Sequence, residues 1–316
     1  MTGASGQGST TPTRVLVAGE ALMDVVVSPD GTTAEHVGGS PANVAVGLAT
    51  LGHPTTLATR VAPDERGSRI AAHLRDRGVP LAPGSETAVR TSTATATLDA
   101  GGAASYDFDL TWDLGPVDVT GCGHVHTGSL AATLQPGAAA VLDLVTRSRE
   151  TATVSYDPNA RPTLMGPPHE ARSRIEELVG LSDVVKASDE DLRWLYDDAP
   201  VEQLARLWGQ LGAGLVVVTR GGSGAHVLLP WSGVSWEAPA PQVAVVDTVG
   251  AGDSFMAGLL SGLLDAGLLG GPEARQALRH AGRADVEPAV SRALATAGFT
   301  VGRAGAVAPS RSDLPS

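Results

Sequence analysis

The chain has 316 residues, 42% of them hydrophobic and 18% charged, enough apolar material for one large domain and too little length for two independent ones. With 22 basic against 34 acidic side chains its net charge is -12, a balance that repels nucleic-acid backbones and anionic lipid surfaces, so neither is expected as a partner. Residues 1–13 hold neither a basic start nor an apolar run, Cys122 has no second cysteine to pair with, and no apolar stretch reaches the roughly 20 residues of a membrane span, so a cytoplasmic protein with a disordered tail is expected.

In chain order, residues 15–18 form an apolar run ending at Gly19 and read as a buried first strand; the segment after it, which holds Asp24, alternates small, charged and β-branched residues as strands do. From Asn43 onward Val44, Leu48 and Leu51 recur at helical spacing, with Gly52 and Pro54 as stop signals, so a helix follows the Gly38-Gly39 turn. Residues 64–77 repeat this format with Ile70 and Leu74 inward. Residues 90–109 alternate small and β-branched residues on either side of a break at Asp99-Ala100-Gly101-Gly102, the pattern of an antiparallel hairpin. Further strands are predicted at 153–156, 184–186, 215–219 and 243–246, separated by helical patterns such as 171–179 and 201–211. Strands alternating with helices predict an α/β fold, doubly wound, with a mostly parallel sheet covered on both faces. The 39 glycines and 21 prolines are spread among the joints and mark no domain boundary, so residues 14–313 are read as a single domain.

The richest stretch is VAVVDTVGAGDSFMAGLLSGLL at 243–264, where an apolar run meets Gly250-Ala251-Gly252 and then Phe255, Leu259 and Leu263 recur with helical spacing. Unpaired N–H groups and the dipole at such a helix start stabilise an anion. Asp253 in the first turn is either a helix-start charge or a base placed beside that anion site. In VGGSPANVAVGLATLG at 37–52, Asn43 is either a helix cap or a ligand group, and Asp157-Pro158-Asn159 reads as a turn. The single lysine, Lys186, follows no glycine loop, so a Walker A motif is absent, and phosphates would have to be held by backbone amides and arginines such as Arg161. His124 and His126 form an H-x-H pair without an evident third metal ligand.

The segments GGSPANVAVGLATLG and DTVGAGDSFMAGLL, in this order, resemble the two signature motifs of the ribokinase/PfkB family of carbohydrate kinases. Counterparts of GEALMD, SYDPNAR, KASDEDL and GRAGA extend the resemblance from about Arg14 to Pro309, and within the family these segments are most similar to fructokinases. The resemblance implies a ribokinase-like fold with a small β lid, contributed by segments near 24–37 and 90–113, that closes over a monosaccharide and often mediates a homodimer. It implies transfer of the γ-phosphate of ATP to a primary hydroxyl of the sugar, with fructose expected and ribose, 2-keto-3-deoxygluconate or a nucleoside as alternatives. A non-catalytic sugar- or nucleotide-binding homologue is the alternative of another class.

By the same resemblance Asp253 is the general base, the amides of Gly250, Ala251 and Gly252 the anion hole, and Arg161 a cation near the transferred phosphate. Asp24, Gly38, Gly39, Asn43 and Asn159 fall on the sugar; apart from the resemblance, an aromatic content of only 3% leaves Phe108, Tyr106 and Trp112 as the few candidates for a ring against the sugar or the adenine. Ser188, Thr219, Gly221, Gly222 and Gly224 fall on the nucleotide, and Asp247 with the GRAGA loop on a monovalent cation such as K⁺. Where the family usually has N-x-x-E organising Mg²⁺, this chain has Ser188 and Asp191, a shorter acid to which the neighbouring Glu190 could add; the same two residues also spell a helix capping box.

Overall fold

The computed structural model of the protein describes residues 12–99 and 104–315; positions 1–11 of the predicted tail and Ala100-Gly101-Gly102 of the predicted hairpin break lie outside the described residues. The first strand, β1 (Val15–Ala18), is buried throughout, as its apolar run predicts. Then follow β2 (Leu22–Val27), β3 (Thr33–Gly38), α1 (Ser40–Thr50), β4 (Thr55–Ala58), α2 (Glu65–Asp76), β5 (Thr93–Leu98), β6 (Ala104–Asp109), β7 (His124–Gly128), α3 (Gly137–Ser148) and β8 (Thr153–Asp157). The second half holds α4 (Pro162–Met165), α5 (Pro168–Leu181), β9 (Val184–Ser188), α6 (Asp189–Tyr196), α7 (Val201–Leu211), β10 (Leu215–Thr219), β11 (Ala225–Leu229), β12 (Val234–Ala238), α8 (Ala251–Asp265), α9 (Pro272–His280) and α10 (Arg283–Val301).

Eight strands form one sheet in the order β12-β11-β10-β9-β8-β7-β1-β4; from β4 to β10 neighbours run parallel, and β11 and β12 add an antiparallel edge. Successive strand side chains point to opposite faces, and this splits the core in two. Val15 and Val17 pack with Val44 and Leu48 of α1, Leu259 and Leu263 of α8 and Val290 of α10, whereas Leu16, Val125, Val154 and Val185 pack with Val141 of α3, Ile175 of α5 and Trp208 of α7. The predicted doubly wound architecture is therefore present. A second sheet, in the order β3-β2-β5-β6, joins the segment after β1 to the hairpin, and α2 packs behind it against Met23 and Val25.

Two local expectations are corrected. The helix expected from Asn43 begins at Ser40, with Gly39 as N-cap at φ 106° and Pro41 in the first turn, where its fixed φ suits a helix start; Asn43 is therefore inside the helix and is not its cap. Residues 243–246 form no strand. They follow β12, already the edge of the sheet, and Pro239 and Pro241 take the chain away from the ladder. Val245 and Val246 are 65% and 64% exposed, and the Val246 N–H donates to the carbonyl of Val301 at 2.8 Å.

Helix α8 is held by close backbone packing. A Cβ at Gly258 would lie 2.8 Å from Cα of Ala293 on α10, and one at Gly262 2.6 Å from the Ala289 Cβ, so these glycines let two helices approach closely. Among the described residues no helix is long and apolar enough to cross a membrane. Replacing Gly258 by Val should lower stability by about 1–3 kcal/mol through overpacking. Urea unfolding with a lowered midpoint and unchanged slope would bear this out; an unchanged midpoint would refute it.

Candidate active site

The C-terminal ends of the parallel strands open on one edge of the sheet, where ligands bind in open α/β folds. Asp157, Ser188 and Thr219 end β8, β9 and β10 there. Helix α8 starts close by. Its N-cap, Gly250, is left-handed at φ 75°, and a side chain there would run into Ala306. The Ala251 N–H is spent on a turn to the Thr248 carbonyl at 3.2 Å. Among the described residues the N–H groups of Gly252 and Asp253 have no protein acceptor, which makes them the donors an anion would meet. Of the three amides expected to form the hole, that of Ala251 alone has a protein acceptor among the described residues, and those of Gly250 and Gly252 have none.

Asp253 is buried in the first turn of α8. Ser40 Oγ donates to its Oδ1 at 2.6 Å and Asn43 Nδ2 to its Oδ2 at 2.8 Å, so the two glycine motifs meet at one carboxylate. Asn43, expected on the sugar, holds Asp253 in this structure, and Ser40 was not anticipated at all. Lys186 was likewise missed. Its Nζ pairs with Asp157 Oδ2 at 2.8 Å, the two side chains being 4% and 2% exposed, and a Cβ on Gly252 would lie 3.1 Å from that nitrogen. Burial works against the Lys186 ammonium, but the carboxylates of Asp157, Asp191 and Asp253 outweigh it and raise its pKa. Burial pushes the Asp157 carboxyl up to about 6, with the Lys186 ammonium pulling it back. The signal for this pair was available: a lysine inside an apolar strand must find a buried partner.

Ser188 and Asp191 form a capping box at the start of α6. Ser188 Oγ accepts the Asp191 N–H at 3.0 Å, Asp191 Oδ2 accepts the Ser188 N–H at 2.8 Å, and its Oδ1 accepts the Ala160 N–H at 2.7 Å. Asp191 thus fastens the loop after β8, and Glu190 is the exposed acid beside it. In that loop Asn159 has φ 37° and the exposed Arg161 folds back, its Nη1 donating to the carbonyl and Oδ1 of Asn159 at 3.1 and 2.8 Å.

The small sheet brings Asp24, Ala94 and Phe108 into one register row, with His36 beyond Asp24. Gly38 lies against the Asp24 carboxylate, and a Cβ on Gly39 would fall 2.5 Å from the Glu20 carbonyl oxygen. Burial raises the Asp24 pKa, opposed by His36 and Arg161. Phe108 stacks with Tyr106 at 6.1 Å on the same face, Tyr106 being 67% exposed, so both remain available to a ligand. Trp112 does not: it is buried, and its Nε1 donates to the Ala131 carbonyl at 3.0 Å.

On the opposite side, Thr219 Oγ1 donates to the Ala187 carbonyl at 3.3 Å, while Gly221 and Gly222 are exposed in a single 3-10 turn. Gly224, at φ 94°, lies against Ala238 and Ala240, where the loop leading to α8 begins. Asp247 ties that loop to the GRAGA segment, accepting the N–H of Gly305 at 2.8 Å and of Val249 at 3.0 Å; these bonds, the first of them foremost, lower its pKa. Among the described residues His124 and His126 belong to no cluster of three metal-ligating side chains; they bond Thr153 and Ser155 inside the sheet, and burial holds both near a pKa of about 3. Glu202, His226 and Glu237 form a separate cluster in which Glu237 already pairs with Arg220.

The two-sheet architecture is ribokinase-like. The model of the pfkB family of carbohydrate kinases matches residues 12–313, and the chain belongs to that family. It is 34% identical over 263 residues to the fructokinase of Rhizobium leguminosarum bv. trifolii, covering 79% of each protein, and 32% identical over 268 residues to that of Escherichia coli, covering 81% of this chain and 86% of the relative. A fructokinase double mutant of Vibrio cholerae O395, solved with fructose, ADP and a potassium ion, superimposes with TM-score 0.80 at 27% identity, covering 96% of this chain and 97% of the other. The ATP-bound fructokinase of Xylella fastidiosa gives TM-score 0.80 at 25% identity, covering 95% and 96%.

Glu20, between β1 and β2, is a further group the sequence reading passed over. Its Oε2 accepts the Ala131 N–H at 3.0 Å, and burial pushes its pKa from 4.5 up to about 7 against the hydrogen bonds from Ser129 and Ala131. The unfolded carboxyl loses its proton near 4.5 and the folded one near 7, so Glu20 makes stability fall as pH rises through that interval. Glu20→Gln cannot ionise. Its melting temperature relative to wild type should therefore climb between pH 4.5 and 7 and level off above; parallel melting profiles would refute the assignment.

Proposed function

We propose that the protein is an ATP-dependent sugar kinase that transfers the γ-phosphoryl group to a primary hydroxyl of a monosaccharide, with fructose as its substrate. The observation that carries this reading is the Asp253 carboxylate, buried in the first turn of α8 beside the unpaired N–H groups of Gly252 and Asp253. Base and anion seat are then less than one helical turn apart, as in-line transfer requires.

In this reading the sugar lies between the Asp24 and Phe108 face of the small sheet and Asp253. Asp24 and Asn159 accept and donate to its hydroxyls, Phe108 covers a ring face, and Asn43 and Ser40 orient the base. The attacking hydroxyl gives its proton to an Asp253 oxygen as its own oxygen bonds to the γ-phosphorus; the bond to the bridging oxygen breaks and that electron pair leaves with ADP. The Gly252 and Asp253 amides steady the charge on the transferring group, and Arg161, freed from Asn159, approaches it from the β8 loop. Thr219, Gly221, Gly222 and Gly224 line the nucleotide side. Closure of the small sheet would exclude water from the reacting groups.

The acids available for a divalent cation are hard oxygen donors at the start of α6, and both Asp191 oxygens already accept backbone N–H groups. Such a set suits a hydrated Mg²⁺ carried mainly by the phosphates, with Glu190 and Asp191 receiving its waters, and the ion neutralises phosphate charge. Asp247 and the GRAGA loop would take K⁺. The Vibrio cholerae relatives solved with fructose, ADP and potassium or calcium support this assignment of substrate and ions.

A coupled ADP-release assay with Mg-ATP and K⁺ over fructose, ribose, 2-keto-3-deoxygluconate, tagatose and adenosine tests the substrate; fructose should be turned over with the highest kcat/KM. Turnover of another member alone would keep the chemistry and replace the sugar, and silence on all would favour a binding protein. Asp253→Asn should lower kcat by about 10²- to 10⁴-fold while the melting temperature stays within a few degrees. Wild-type turnover in that variant would end the assignment of the base.

A further inference from the structure

Lys186 is the only lysine in a chain that otherwise uses arginine for its strong cations. It points from β9 to the face covered by α8, the side that also receives Val184, and ends beneath Gly252. For folding alone this is the wrong place for a cation. A helix N-terminus carries partial positive charge, so an ammonium beneath it is repelled, and burying it carries a desolvation cost before any partner is counted. Asp157 neutralises it, yet an apolar pair of similar volume would fill the space without the desolvation cost or the clash with the dipole. The arrangement makes electrostatic sense once an anion occupies the helix start.

Three further observations agree. The Ala251 N–H is committed to Thr248, so the backbone seat lacks one of its donors. Glycine at 252 keeps the ground above the ammonium clear, since a Cβ would lie 3.1 Å from Nζ. Asp157 is itself fixed, its Oδ1 accepting the Asn159 N–H at 3.1 Å, so Lys186 is anchored to the loop that carries Arg161.

We infer that Lys186, oriented by Asp157, is an electrostatic residue of phosphoryl transfer, its ammonium adding to the amides of α8 to stabilise the charge on the transferring phosphoryl group. The inference rests on the kinase reading above. Lys186 neither gains nor loses a proton; the hydroxyl proton still goes to Asp253 and the broken bond's electron pair to ADP. Asp157 is a positioning residue that acts through Lys186.

The test compares wild type, Lys186→Met and the double variant Lys186→Met/Asp157→Asn. The single variant strands a buried carboxylate and should melt well below wild type, whereas the double variant removes both charges and should melt within a few degrees of it. In the double variant kcat should fall by about 10²- to 10³-fold with the KM for fructose within about threefold, the pattern of a lost transition-state interaction. Inorganic phosphate, which should raise the melting temperature of wild type, should leave that of the double variant unmoved. A double variant that melts like wild type and keeps kcat within about threefold would overturn the inference while leaving the kinase reading intact. If wild type turns over no sugar, the kinase reading fails by itself. The phosphate shift then decides about Lys186: present only in wild type it supports the charge beneath α8, and present in both proteins or in neither it overturns it.

Discussion

A helix that starts above the C-terminal edge of a parallel sheet leaves N–H groups with nothing in the helix to bond, and the molecule is arranged around keeping that terminus in place. Glycines at 258 and 262 bring α8 against α10, and Gly47 does the same toward Ala257 from α1. From these two helices come the contacts that set the direction of α8, and from α1 the hydroxyl and amide that grip Asp253. Position of the helix and orientation of the carboxylate thus depend on the same packing. A substitution in the glycine stripe would move both at once.

The second sheet is built on a different principle. Its inner side is fastened by Met23 and Val25 to the main core, while the side bearing Asp24, Phe108 and Tyr106 is only partly covered. The chain passes between the two sheets at Glu20–Ala21 and again at Gly39, whose backbones touch, and a carboxyl pinned to the Ala131 N–H sits at that crossing. Asp24 and Phe108 of one sheet are thereby set in a layer apart from Asp253, which the helix above the other sheet carries.

Much of the fold was legible because it is written in local period. The runs at 15–18 and 215–219 are buried strands, the hairpin alternation is a hairpin, and the helix at 201–211 has the predicted bounds. One of the two exceptions is instructive. Residues 243–246 carry a strand's side chains, but whether a strand forms depends on a free edge to pair with, and β12 followed by Pro239 and Pro241 provides none. Within the site, the helix start at Gly250-Ala251-Gly252 with Asp253 in its first turn was readable from the spacing of Phe255, Leu259 and Leu263, although a loop and not the expected strand leads into it. Ser40 was not, because its partner lies 213 positions away. Lys186 with its apolar neighbours signals the need for a buried partner but not which one: only the register of β8 and β9 beneath α8 identifies the aspartate before a proline as that partner. Ser188 and Asp191 show the converse, a motif position filled by residues whose observed bonds are those of a helix cap.

The burial of Lys186 has a chemical corollary for the folded surface. With the only lysine enclosed between sheet and helix, the exterior offers no side-chain primary amine. Acyl donors, aldehydes and succinimidyl esters that decorate most proteins find no lysine to react with until the helix lifts from the sheet. Acylation at residue 186 therefore reports separation of α8 from β9, and a single mass increment at one peptide counts the molecules that have opened.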